Sequence, residues 1–260
     1  MRGTIFQLFS YIQEPTPGAG LFLAMQFFSI IAIVLVLLPF HECAHGLSAK
    51  WLGDETAKRS GRLTLNPLAH IDPLGTICMF LIGFGWAKPV PVNPLCANRR
   101  VTMRSFMALT AAAGPASNVL FSLVCVIISK IIYVIIVPAE FVEKLASYDT
   151  FDKFYALSFM FSEYVATPFL AYLGFALMMM ATTSIYLAVF NLLPIPPLDG
   201  SKMLFFFLNN RQIDFIERHM NIVRTILLIL LLTTGIITGF IGFLGDFILK
   251  AIEYATFFIG

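Results

Sequence analysis

Residues 15–40 carry no charged side chain, and residues 21–40 are almost wholly apolar. About 20 such residues suffice to cross a bilayer as a helix. The run ends in Phe40-His41-Glu42-Cys43-Ala44-His45-Gly46, an H-E-x-x-H pattern. On a helix, positions i and i+4 share a face about one turn (~6 Å) apart, so His41 and His45 can reach a single metal ion. Glu42 lies beside them, placed to take a proton from an activated water. Two imidazoles and a carboxylate at the end of a membrane-spanning helix confine the chain to a narrow set of folds and chemistries.

The composition agrees with a membrane location. Hydrophobic residues make up 58% of the 260-residue chain and charged residues 12%, against about a quarter in soluble domains. A net charge of +2 gives no case for a nucleic-acid partner. Cys43, Cys78, Cys96 and Cys125 show no C-x-x-C spacing, so neither a disulfide framework nor a cysteine metal site is expected. The first apolar run is long and carries the H-E-x-x-H motif, which does not fit a cleaved signal peptide.

The fold class expected is an all-α polytopic membrane protein with about four core spans. The first continues through the motif to about Trp51. The segment 73–87 is uncharged but short and rich in glycine, which suits a re-entrant dip better than a crossing. Residues 88–94 carry prolines at 89, 91 and 94, an extended, β-like stretch able to pair along only one edge. A second span begins near Arg104 and runs past Lys130, whose ammonium is expected to snorkel to the interface. A third lies within 164–198 and breaks at Pro194, Pro196 and Pro197. A fourth covers 225–245, and an amphipathic tail follows over 247–259. The whole is read as one membrane-embedded catalytic domain over 1–260, with an N-terminal segment (1–20), a core (21–208) and C-terminal helices (209–260).

With these spans alternating, Arg2, Lys130, Lys144, Lys153 and Lys250 fall on one side, leaving twelve of the 17 Lys and Arg on the other. The motif side is therefore expected to be cytoplasmic in a multi-pass protein of the cell membrane. The same topology brings Asp199, far along the chain, to the membrane face of His41 and His45.

A catalytic zinc takes three protein ligands and keeps one position open. Asp199 is the best third ligand, since an acid ending a long uncharged stretch is costly without a cation beside it. Capping the next helix is the plainer role for the same residue. Asn191 serves either to donate to a developing oxyanion or to satisfy carbonyls freed by Pro194, and the residues alone leave both open. Gly114, Pro115 and Asn118 read as close helix packing, His70 and Asp72 as turn chemistry, His219 as a headgroup-facing residue and Glu163 as interfacial.

These residues match a family. The Phe40–His45 helix, the stretch from Asn191 through Pro194 to Asp199-Gly200, the block from Leu65-Asn66-Pro67 to Asp72-Pro73-Leu74-Gly75 and the segment Gly114-Pro115-Ala116-Ser117-Asn118 together resemble the site-2 protease family of intramembrane zinc metalloproteases. The resemblance covers about 21–208 and implies a minimal form without the PDZ or CBS domains of some members. It implies one Zn2+ held by His41, His45 and Asp199, with Glu42 as acid/base and Asn191 assisting at the scissile carbonyl. The implied activity is hydrolysis of a peptide bond in or near the transmembrane segment of a peptide or protein substrate within the lipid bilayer. Residues 86–93 resemble the family's membrane-proximal β region, which suggests pairing with an unwound substrate strand. A zinc transporter or a non-catalytic metal-binding membrane protein is the alternative, although the internal repeats common in transporters are not evident. A homo-oligomer is compatible with the sequence.

Overall fold

The structure is a computed structural model and describes residues 19–82, 85–160, 165, 167–222, 225–226 and 235–259. The first span is helix α1 (Ala19–Ala32), a π turn over Ile33–Leu37 and helix α2 (Leu38–Trp51). Pro39 explains the π turn. A proline inside a helix lacks an N–H and its ring crowds the carbonyl four residues back. Widening the preceding turn relieves that crowding, and Leu38 N–H reaches the Ile33 carbonyl, five residues back. The chain thus stays helical into the H-E-x-x-H turn.

Helix α3 (Pro73–Ile82) is the short uncharged segment. Ten residues span about 15 Å, half of a hydrocarbon core. Asp72 caps it by accepting the Gly75 N–H at 2.8 Å. Met79 packs against Ile30 and Val34 of the first span, a contact held by dispersion and close fit more than by water exclusion where lipid is the solvent. The chain then returns along the helix it has just left. A Cβ on Gly75 would stand 2.1 Å from the Trp86 carbonyl oxygen, and one on Gly85 would stand 2.1 Å from the Gly75 oxygen. Only glycine permits so close an approach. Lys88 N–H then donates to the His70 carbonyl at 2.8 Å, so entry and exit lie side by side, as a re-entrant segment requires. His70 Nε2–H donates to the Thr64 carbonyl at 2.8 Å, and Asn66 caps the turn at Pro67–Ala69. His70 and Asp72 are turn-formers, as expected.

Helix α4 (Met103–Ile136) is the second span and α5 (Pro168–Leu192) the third. Among the described residues, three helices are long and apolar enough to cross a membrane: Phe27–Trp51, α4 and α5. Residues 227–234 of the expected fourth span, and Glu163, lie outside the described residues. Helix α6 (Asp199–Phe205) follows the proline break, and helix α7 (Ile236–Ala255) runs through Gly245, so the expected boundary between span and tail falls inside one helix.

The chain forms two compact units, one from Met1–Asn118 and Leu187–Gly242, the other from Val119–Tyr186 and Phe243–Gly260. Within the second, Lys130 does not snorkel. It is buried, and its ammonium donates to the Glu253 and Thr256 carbonyls at 2.9 and 3.0 Å. A cation on the open carbonyls of the α7 C-terminus meets both the unsatisfied acceptors and the negative end of the helix dipole, which outweighs the gain from reaching water.

Candidate metal centre and hydrolytic site

All of the site lies within the first unit. His41 and His45 project from α2 one turn apart, and both are buried. Their Nε2 atoms are 3.0 Å from each other, and Asp199 Oδ2 lies 3.2 Å from His41 Nε2 and 3.1 Å from His45 Nε2. The three donor atoms form a nearly equilateral triangle. Ligands of a tetrahedral zinc at ~2.0–2.1 Å are spaced by about 3.3 Å, so these residues fit such an ion with only small adjustment. Asp199 does not cap α6. Leu198 precedes that helix without a side-chain cap, and the Asp199 carboxylate is turned to the imidazoles, with Lys202 Nζ 3.3 Å from its second oxygen.

The orientation of His45 is set from outside the triangle. Its Nδ1–H donates to the Thr110 carbonyl at 2.6 Å, which leaves the Nε2 lone pair facing His41 and Asp199. Thr110 lies on α4, one turn before Gly114. A Cβ on Gly114 would stand 2.5 Å from His45 Cε1 and Nε2 and 2.6 Å from His41 Cε1. From sequence, Gly114 is expected to be a helix-packing residue. A small residue does permit a close approach here, but what approaches is the imidazole pair. Thr110 acts through its backbone and carries no side-chain signal; the Gly-Pro pair in mid-span was the available clue to Gly114.

Glu42 has a carboxylate oxygen within 4.8 Å of both imidazoles. Its Oε2 accepts the Val90 N–H at 2.8 Å. Val90 belongs to the proline-alternating stretch, which is extended but forms no backbone ladder among the described residues. Its anchors are Arg62, donating to the Lys88 and Pro89 carbonyls at 2.6 and 3.2 Å, and Asp54, accepting the Asn93 N–H at 2.6 Å. Asp54 is fully buried and also accepts the Thr56 N–H and hydroxyl. Burial alone would raise its pKa, but the Asn93 N–H and the two Thr56 donors override this and hold it below the usual carboxylate range. A depressed folded pKa contributes stability above the unfolded value of about 3.9 and loses it as pH falls through that value toward the folded one. The Tm gap between wild type and Asp54→Asn is therefore expected to hold steady above about pH 5 and to close on acidification below about pH 4. A gap independent of pH would show that Asp54 is not an ionised acceptor.

Asn191 ends α5 and faces the same cavity of about 740 Å³ as His41, Glu42, His45, Asp199 and Lys202. One of its amide hydrogens donates to the Leu187 carbonyl at 2.9 Å; the amide carries a second. Asn118 is buried in α4, and His219 is exposed.

Comparison with known proteins points the same way. Residues 98–234 match the sequence model of peptidase family M50. That stretch includes Asn191 and Asp199 but not His41–His45, so the match and the H-E-x-x-H motif are separate observations. A Bacillus subtilis (strain 168) protein named "Putative zinc metalloprotease YwhC" is 34% identical over 178 residues, 67% of each chain. No solved structure matches.

Proposed function

The chain belongs to peptidase family M50, the site-2 protease family of membrane zinc metalloproteases, and from that premise we propose that it hydrolyses a peptide bond in or near the transmembrane segment of membrane-protein substrates, at a single zinc ion. The observation that carries this reading is the triangle of His41, His45 and Asp199 donor atoms with Glu42 beside it.

His41, His45 and Asp199, which all line the cavity, would hold the ion. Bound there, zinc would supply Lewis-acid polarisation of the scissile carbonyl and lower the pKa of water. Glu42, held by the Val90 N–H, accepts the proton of the attacking water and returns it to the leaving amine. The remaining amide hydrogen of Asn191 donates to the carbonyl oxygen as negative charge builds on it. Thr110 and Gly114 keep the two imidazoles converged. The cavity lies at the end of the charge-free run 15–40, which supports chemistry at membrane depth. The Lys and Arg bias supports a cytoplasmic-side site in the cell membrane. The extended 88–93 segment supports capture of an unwound substrate strand along its open edge. All of these residues belong to one catalytic domain.

The test uses the purified protein in lipid with a single-span substrate. Cleavage is expected to stop when the metal is chelated and to return with one equivalent of zinc, and mass spectrometry should place the new termini in or beside the substrate's apolar segment. Termini confined to its distant soluble parts would overturn the intramembrane reading. Zinc flux into vesicles without cleavage would favour a transporter.

A further inference from the structure

The extended segment does more than offer an edge to substrate. Pro89 and Pro91 have no N–H, so Val90 supplies the single backbone donor of residues 89–91, and that donor is on Glu42 Oε2 at 2.8 Å. Val90 precedes a proline, which holds it in the extended region. Its side chain is buried against the catalytic helix, where a Cβ on Gly46 would lie 3.3 Å from Val90 Cγ1. The register of this contact is set three residues on, at Asn93, whose N–H donates to Asp54 Oδ2 at 2.6 Å. Asp54 lies three residues beyond the end of α2, the helix that carries Glu42. One buried carboxylate thus ties the segment back to the element it serves.

We propose that Asp54 is a positioning residue for the hydrolytic carboxylate: it locks the 88–93 segment in register so that the Val90 N–H aims Glu42. The proposal rests on the protease reading above. Asp54→Asn keeps the size of the side chain. If its oxygen continues to accept both Thr56 donors, its amide group must face the Asn93 N–H, donor against donor. Val90→Pro removes the N–H on Glu42 and leaves an extended backbone.

The experiment is a double-mutant cycle in the full-length, zinc-loaded protein, with kcat, KM and zinc content measured for each variant. Asp54→Asn and Val90→Pro are each expected to lower kcat, on the order of ten- to a hundredfold for loss of a hydrogen bond to a charged group. KM and zinc content should hold. In the Val90→Pro background, Asp54→Asn should lower kcat no further, because the contact it supports is already gone. A fully additive double variant would overturn the proposal, as would a change in KM alone, or a fall in kcat that tracks loss of zinc. Val92→Pro separates the two uses of the segment: it removes a backbone donor that does not reach Glu42, and should raise KM with kcat held. If Glu42→Gln itself retained cleavage, the protease reading would fail, and that outcome is distinct from additivity in the cycle.

Discussion

Glu42→Gln should abolish cleavage while the protein keeps its zinc. The substitution preserves shape and the acceptor for the Val90 N–H, so the segment over the site stays in place. It removes the group able to take a proton. General-base catalysis contributes about 10²–10⁴-fold, and a carboxylate that also returns the proton to the amine acts in both halves of the reaction. A loss of at least about 10³-fold in kcat is expected. Zinc content should stay near one per chain, since the three proposed ligands are untouched.

The zinc measurement separates two roles for the same residue. Glu42 is close enough to the imidazoles to be counted among metal-binding groups. If it were a ligand, Glu42→Gln would weaken the metal and lose activity together. The geometry favours a base: Asp199 Oδ2 already lies 3.1–3.2 Å from both ring nitrogens, and the Glu42 carboxylate is turned toward the Val90 N–H. Loss of activity with zinc retained is the expected pattern. Retained cleavage would remove the protease reading altogether.

The elements legible in the sequence were those set by local rules. A charge-free run reports a spanning helix because lipid penalises charge wherever the rest of the fold lies, and α4 begins at Met103, one residue from the expected start near Arg104. The His41/His45 pair follows from helical periodicity. Asp199 could be placed because the topology assigned it to the same membrane face. Lys130 was misjudged because its partners, the Glu253 and Thr256 carbonyls, are more than 120 residues away. Val90 and Thr110 were invisible for a different reason: their backbone atoms contact the site, and side-chain chemistry does not announce a backbone contact. Asp54 carries no local signal of its role, and only the fold brings Asn93 to it.

Gly114 is the position at which the smallest change should have the largest structural consequence for the metal. A glycine in mid-helix costs about 1 kcal/mol relative to alanine. Gly114→Ala would therefore stabilise α4 if the space were free. It is not: the added methyl would stand 2.5–2.6 Å from atoms of both imidazoles, far inside contact distance. The rings cannot simply swing away, because His45 is tied to the Thr110 carbonyl on the same helix. Either the imidazoles leave the triangle or α4 moves off α2 and takes Thr110 with it, and both disrupt the ligand set. The expected outcome splits by state. The metal-free variant should melt somewhat below wild type, because overpacking costs about 1–3 kcal/mol against the ~1 kcal/mol gained in the helix, while the rise in Tm on adding zinc, which reports binding to the folded form, should largely disappear. Cleavage should fall at least about a hundredfold, the cost of displacing groups that must be held within a fraction of an ångström. A variant that bound zinc as wild type does would show that α4 does not pack on the imidazole pair at Gly114.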